Sequence, residues 1–219
     1  MVALVLWSRV RKVLLKQMIS LLGEELLIAT HNKGKLEEIS ALLVDYNIKV
    51  SSAKDYNLME PAETENTFVG NARIKAHTAS KSTGLPALSD DSGVEVDALN
   101  NLPGVYTADW AEVNGGRDFD KAMEKVLYEL NSINAPFPRT ARFCCTLCLA
   151  WPDGSDKIFS GVIPGEIIWP MRGKNGHGYD PIFQPVGQNL TFGEMDRWEK
   201  NNMSHRARAF EKFIRYLDG

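Results

Sequence analysis

The sequence predicts an α/β protein organised around a mixed β-sheet. Three observations carry that expectation. Helical and strand patterns alternate through the first half of the chain. A β-rich stretch follows, in "RTARFCCTLCLAW" and "KIFSGVIPGEIIW". The 219 residues suffice for one sizeable domain or two small lobes with a proper core.

The elements justify themselves in order. "ELLIATHN" (25–32) is an apolar run ending in polar residues, the pattern of a buried strand feeding a loop. In "KGKLEEISALLVDY" (33–46), Leu36, Ile39, Leu42 and Leu43 recur at helical spacing. "IKVSS" reads as a second strand, and "MEPAETE" as an acidic loop. "NTFVGNARIKAHTASKSTG" (66–84) is a helix closed by Gly84. "PALSDDSGVEVDAL" reads as a strand, a sharp turn and another strand. "NNLPGVYTADWAEVNGG" is rich in turn residues, and "RDFDKAMEKVLYEL" (117–130) is an amphipathic helix. The two β-rich runs flank Asp153-Gly154, which predicts a hairpin. "RGKNGHGYDPIF" is a Gly-rich loop entering a strand, and "SHRARAFEKFIRYL" is a closing helix with Ser204 as its N-cap.

Composition narrows the function. The chain is 44% apolar and 24% charged, ordinary for a globular protein. Its net charge of −3 supplies no global basic field to recruit nucleic acid. No apolar run approaches the length needed to cross a bilayer, which argues against a membrane role. Residues 1–22 carry Arg9, Arg11, Lys12 and Lys16 and no acid. They read as an N-terminal extension, a docked or frayed helix, ahead of a single domain over 23–219. Elsewhere acids exceed bases, so a polyanionic ligand must be held by a local cluster of cations. Cys144, Cys145 and Cys148 are odd in number and share one apolar run, which argues against a disulfide framework. Cys145-x-x-Cys148 has no second Cys or His pair at zinc spacing. The trio reads as small hydrophobes in a reducing, cytoplasmic compartment.

Five stretches point to chemistry. "THNKGK" (30–35) lies at the carboxyl end of a strand, where open α/β sheets bind ligands. Thr30 and Asn32 offer hydrogen bonds, Gly34 permits close backbone approach, and Lys35 adds charge at a helix start. In "FVGNARIKA", Asn71 and Lys75 share one helix face. "SHR" puts His205 and Arg206 at a helix N-terminus, unfavourable for cations unless an electron-rich partner is bound. Lys200 lies just upstream. "GHGYDPIF" holds His177 between Gly176 and Gly178, and Tyr179-Asp180-Pro181 fixes the exit. In "SDDSG", Asp90 and Asp91 face opposite ways if the strand continues, so one enters a pocket and the other bonds backbone at the turn. Glu63 is a candidate second ligand beside Asp91 for a divalent cation such as magnesium, which takes one or two carboxylates plus substrate phosphates. Cations for polyphosphate, carboxylates for magnesium and donors for a base together suit a nucleotide hydrolase.

The ordered set "T-x-N-x-x-K", "E-T-x-x-T-F-x-x-N-A-x-x-K-A", "SDDSG", "LPGVY", "GYDPIF" and "SHR" resembles the inosine triphosphate pyrophosphatases, also termed Ham1-like or dITP/XTP pyrophosphatases. The resemblance runs from about Leu26 to Phe210. It implies an elongated, two-lobed α/β fold with a nucleotide cleft, a homodimer, and magnesium as cofactor. It implies hydrolysis of ITP, dITP and XTP to monophosphate and pyrophosphate, which cleanses the nucleotide pool. Carried over by motif, Thr30, His31, Asn32, Lys33, Gly34 and Lys35 bind the triphosphate, with Lys75 close by. Asp91 is the catalytic residue, Ser92 touches substrate, and Glu63 and Asp91 hold the metal. His177, Gly178, Tyr179, Asp180, Lys200, His205 and Arg206 form the base and phosphate pocket. Three positions depart from the family pattern. His177 replaces a Phe that stacks on the purine, Gly70 replaces a Glu, and Asp109-Trp110 replaces Arg-Tyr.

The expected reaction is attack of water on the α-phosphorus, with Asp91 orienting or deprotonating that water. Donors from Arg206 or His205 would pair with the 6-keto oxygen of hypoxanthine or xanthine and reject the 6-amino group of adenine. Two alternatives remain open from sequence: a pyrophosphatase for other nucleoside triphosphates, and a nucleotide-binding regulator without turnover.

Overall fold

The computed structural model describes residues 25–43 and 48–218. The expected N-terminal extension and the end of the first expected helix lie outside the described residues.

The chain begins with β1 (Glu25–Ile28), α1 (Lys33–Leu43) and β2 (Lys49–Ser52). Next come α2 (Phe68–Thr83) and the long strand β3 (Ala87–Val96). Three short 3₁₀ turns lead to a two-stranded ribbon, β4 (Glu112–Val113) and β5 (Gly116–Arg117), and then α3 (Phe119–Ser132). Strands β6 (Thr140–Ala150) and β7 (Asp156–Ile167) follow, then β8 (Phe183–Pro185), α4 (Arg197–Met203) and α5 (His205–Asp218).

Six strands form one sheet in the order β2-β1-β3-β6-β7-β8. β1 runs parallel to both β2 and β3, whereas β7 and β8 are antiparallel. The sheet is therefore mixed, as the alternating early half and the β-rich middle predict. β6 and β7 are neighbours joined by a tight turn in which Gly154 N–H donates to Trp151 O, 3.0 Å, with Gly154 at φ +88°. That positive φ is the reason for glycine there.

Helix ends follow local chemistry. Thr67 caps α2 by accepting from Gly70 N–H at 3.0 Å, and Gly84 closes it in the left-handed conformation. Asp118 accepts from Lys121 N–H at 3.1 Å to start α3. Ser204 Oγ accepts from Ala207 N–H at 3.2 Å to start α5, as its sequence predicts. α3 buries Ala122, Met123, Val126 and Leu130, one stripe at helical spacing.

The chain divides into two compact units. The first holds the described residues up to Asp91, Thr146–Phe159 and the end of the chain from Phe210. Its apolar packing sets Leu27, Ala29, Ala79 and Ala87 together, and Ala72 and Ala76 of α2 against Cys148 and Ala150 of β6. The second holds Ser92–Cys145 and Ser160–Ala209. Its core is aromatic: Phe143 packs against Phe183 and Phe192 with ring centroids 4.5 and 5.9 Å apart.

One expectation is overturned. "SDDSG" is no turn between two strands, because β3 runs unbroken through it and is buried along almost its whole length. The physical reason lies in the first unit. Each carboxylate of the pair meets a lysine from a different helix, so a charged pair is tolerated inside a central strand.

Candidate active site

In the first unit, β3 delivers Asp90 and Asp91 to opposite faces of the sheet. Asp90 Oδ2 lies 2.6 Å from Lys35 Nζ of α1. Asp91 Oδ1 accepts from Lys75 Nζ of α2 at 3.0 Å. The aspartate that faces away from Lys75 thus pairs with Lys35. Asp90, Asp91 and Lys75 are all buried.

Lys75 also donates to Glu63 Oε1 at 2.7 Å. Asn71, one turn earlier on α2, accepts from Glu65 N–H at 3.0 Å and so holds the acidic loop against the helix. The absent side chain of Gly70 matters here. A Cβ at that position would lie 2.5 Å from Glu65 Cβ, so the close approach of the loop requires glycine. A small cavity is lined by Lys75 together with Ala29, His31, Leu58, Pro61 and Thr78.

Electrostatics distinguish the partners. Burial pushes the Asp91 carboxyl up to about 6; Lys75 opposes that rise, and Glu63 and Asp90 add to it. Burial also works against the Lys75 ammonium, but Asp91, Asp90 and Glu63 outweigh it and hold it above the usual lysine range. Lys75 is therefore held as a cation, and burial holds the Asp91 carboxyl above the usual carboxylate range. Asp91 Oδ2 is buried and has no hydrogen-bond partner among the described residues. A buried carboxylate oxygen in that condition calls for a cation or a water. With exposed Glu63 on the same lysine, the donor set fits a hard divalent ion such as magnesium.

The loop from Thr30 to Lys35 is shaped by its own side chains. Thr30 Oγ1 accepts from Asn32 N–H at 3.1 Å, and Asn32 Oδ1 accepts from Lys35 N–H at 3.2 Å. Asn32 thus caps α1 while His31 and Asn32 stay exposed. Gly34 sits in the first turn of α1 together with Lys33. Ser92 follows Asp91 on β3 and is half-buried.

In the second unit, Gly176 and Gly178 have φ of +79° and +65° and frame the exposed His177. Asp180 is buried, accepts from His177 N–H at 2.6 Å, and accepts from Lys200 Nζ. A Cβ on Gly176 would fall 2.0 Å from Asp180 Oδ2, so only glycine lets this carboxylate reach the turn. Tyr179 is buried and donates its hydroxyl to Thr107 O at 3.0 Å. His205 is buried and stacks flat on Phe143, with centroids 4.9 Å apart and planes 12° apart. Packing, unseen in the sequence, thus shares His205 with any ligand role. Arg206 is half-buried in the first turn of α5.

Lys75–Asp91–Glu63 and Lys35–Asp90 are assembled as a charged cluster in the first unit, and His177–Asp180–Lys200 in the second. Sequence reasoning missed the pairing of Asp90, the fit of Gly70 and the Phe143 stack. The alternation of a strand was the available signal for the first; the other two are tertiary contacts with no local signal.

An α/β fold with a buried, lysine-held aspartate at the sheet defines a hydrolase-like active centre. The model of the Ham1 family matches residues 26–216, and the chain belongs to that family. It is 63% identical over 193 residues to a protein of Ruegeria pomeroyi named dITP/XTP pyrophosphatase, covering 88% of this chain and 95% of that one. A protein of Rhizobium meliloti with the same name is 52% identical over 204 residues, covering 88% and 95%. Among solved structures, a HAM1 protein from Coxiella burnetii superposes with a TM-score of 0.83 at 40% identity, covering 88% of this chain and 98% of that one.

Proposed function

We infer that this protein is a nucleoside-triphosphate pyrophosphatase. It hydrolyses dITP, XTP and ITP to the monophosphate and pyrophosphate, and so removes non-standard purine nucleotides from the pool. The observation that carries the reading is the Asp91 carboxylate, buried, held by Lys75 and poised near pH 6. A general base works best when its pKa lies close to the operating pH. Names of close relatives supply the substrate class.

Asp91 orients a water and accepts its proton as the water attacks the α-phosphorus. Lys75 fixes the Asp91 carboxylate through Oδ1, leaving Oδ2 for the incoming group. When bound, magnesium held by Asp91 and Glu63 would offset the charge of the phosphate oxygens. The exposed loop carrying His31 and Asn32, with the α1 N-terminus that begins at Lys33 behind it, receives the triphosphate. In the second unit, His177 offers a ring for stacking on a base. Arg206 offers donors to a 6-keto oxygen. A site built on such hydrogen bonds rejects the 6-amino purine by roughly 10⁴ or more.

The protein is proposed to act as a homodimer in the cytoplasm. Its three free, buried cysteines suit a reducing compartment. Among the described residues no helix is long and apolar enough to cross a membrane.

The test is magnesium-dependent pyrophosphate release from ITP, dITP, XTP, GTP, ATP and dTTP in parallel. The reading expects ITP, dITP and XTP to be preferred. Preference for ATP or dTTP would contradict the substrate class, and binding without release would contradict the activity.

A further inference from the structure

On the α2 surface facing β6 and β7, three side chains of different chemistry converge. His77 comes from α2, Cys148 from β6 and Asp156 from the start of β7. One ligand atom from each lies within 4.8 Å of the other two. His77 Nε2 and Asp156 Oδ2 are only 2.9 Å apart. Cys148 is fully buried beneath them, beside Ala72, Ala76 and Ala150. All three belong to the first unit, and none takes part in the chemistry assigned to Asp91.

We propose that His77, Cys148 and Asp156 form a site for one thiophilic divalent cation of the zinc class, distinct from the magnesium site. Sulfur, imidazole nitrogen and carboxylate oxygen in one place are the donors zinc selects. Magnesium prefers oxygen alone and would be a poor occupant. Three protein ligands leave a fourth position for water, and half-buried His77 keeps that side open. A tetrahedral ion with bonds of roughly 2.0–2.3 Å needs its donors somewhat closer than 4.8 Å. His77 and Asp156 are hydrogen-bonded at 2.9 Å, closer than the roughly 3.4 Å between two donors of such an ion, so that bond has to open while the Cys148 sulfur closes in.

Two features oppose the ion, and neither is prohibitive. Arg73 donates to both oxygens of Asp156, from Nε at 3.0 Å and from the terminal nitrogen at 3.2 Å. Its side chain is 51% exposed, so the guanidinium can swing into water, but this gives up a two-point contact to Asp156, which is only 17% exposed. Burial also keeps the Cys148 thiol protonated. The ion must displace that proton, as zinc does whenever it binds cysteine. Cys145, three residues back on the same strand, supplies no ligand to this group.

The test titrates the purified full-length chain with cadmium under a non-thiol reductant, following the thiolate-to-cadmium charge-transfer absorbance. The expected result is a band that saturates at one cadmium per chain. It is retained in Cys145→Ser and in Asp91→Asn, lost in Cys148→Ser, and shifted at least tenfold to higher cadmium in His77→Ala. Arg73→Gln should tighten binding. Absence of a thiolate band, or a band that survives Cys148→Ser, overturns the site. His77 is partly exposed, so His77→Ala remains a test even where Cys148→Ser fails to fold; unchanged cadmium affinity in it also overturns the proposal.

Discussion

Lys75 Nζ stands 3.0 Å from Asp91 Oδ1, and both side chains are about nine-tenths buried. The ammonium is shared with Glu63, so one lysine orders two carboxylates that belong to different segments of the chain. This arrangement fixes where Asp91 points and sets how readily it takes a proton.

Removing the lysine should therefore move the pH dependence of the reaction. Lys75→Met leaves Asp91 buried without its counter-charge. Its carboxyl, now up to about 6, should rise further. The acid limb of the pH–rate profile is expected to move up by about 1–3 pH units, with turnover at pH 7 falling by roughly 10²-fold. Steady-state kinetics between pH 5 and 9 checks this. An unmoved acid limb would show that Lys75 does not govern Asp91.

Asp91 also makes a signed contribution to stability. Its folded-state pKa of about 6 exceeds the ordinary aspartate value of 3.8, so the folded protein holds this proton more tightly than the unfolded chain. The stabilisation is complete below the lower value and is lost as pH rises through the higher one. Across that window it amounts to ~3 kcal/mol. Asp91→Asn cannot lose a proton and escapes the loss. Urea denaturation at pH 4 and pH 8 should show the difference between variant and wild type shifting in favour of the variant at pH 8.

His177 projects from a turn that two glycines define, and Asp180 accepts from its backbone N–H. Loss of its ring should weaken base binding and leave the chemistry alone. His177→Ala is expected to raise KM for ITP by roughly tenfold, the scale of one base–aromatic stack, with kcat nearly unchanged. His177→Phe should restore KM. A fall in kcat with unchanged KM would place His177 elsewhere in the mechanism.

Gly176 and Gly187 have nearly equal φ, +79° and +80°, but different surroundings. A Cβ at Gly176 would collide with Asp180 Oδ2, while at Gly187 it meets nothing within 4 Å. Gly187→Ala should cost about 1 kcal/mol from backbone strain alone. Gly176→Ala should cost about 3 kcal/mol or more, because it also displaces the buried carboxylate that Lys200 bonds. Thermal unfolding of the two variants compares them directly.

Local rules carried much of the fold. Gly84 closes α2 and Ser204 opens α5 because caps depend on residues within one turn. The spacing of Asn71 and Lys75 was legible for the same reason, and both face inward. The continuity of β3 was not. Two adjacent aspartates read as a turn until Lys35 and Lys75 arrive from separate helices to neutralise them. Likewise, Gly70 looked like a lost carboxylate, yet its role is steric and depends on where Glu65 comes to rest. His205 was placed in the ligand pocket by its motif, and only the packed core reveals Phe143 against its ring.

The most direct test is single-turnover pyrophosphate release from dITP by Asp91→Asn, with nucleotide affinity measured on the same preparation. Asp91 as the base predicts release slowed by roughly 10²–10⁴-fold with dITP still bound. Release at close to the wild-type rate would contradict the role assigned to Asp91.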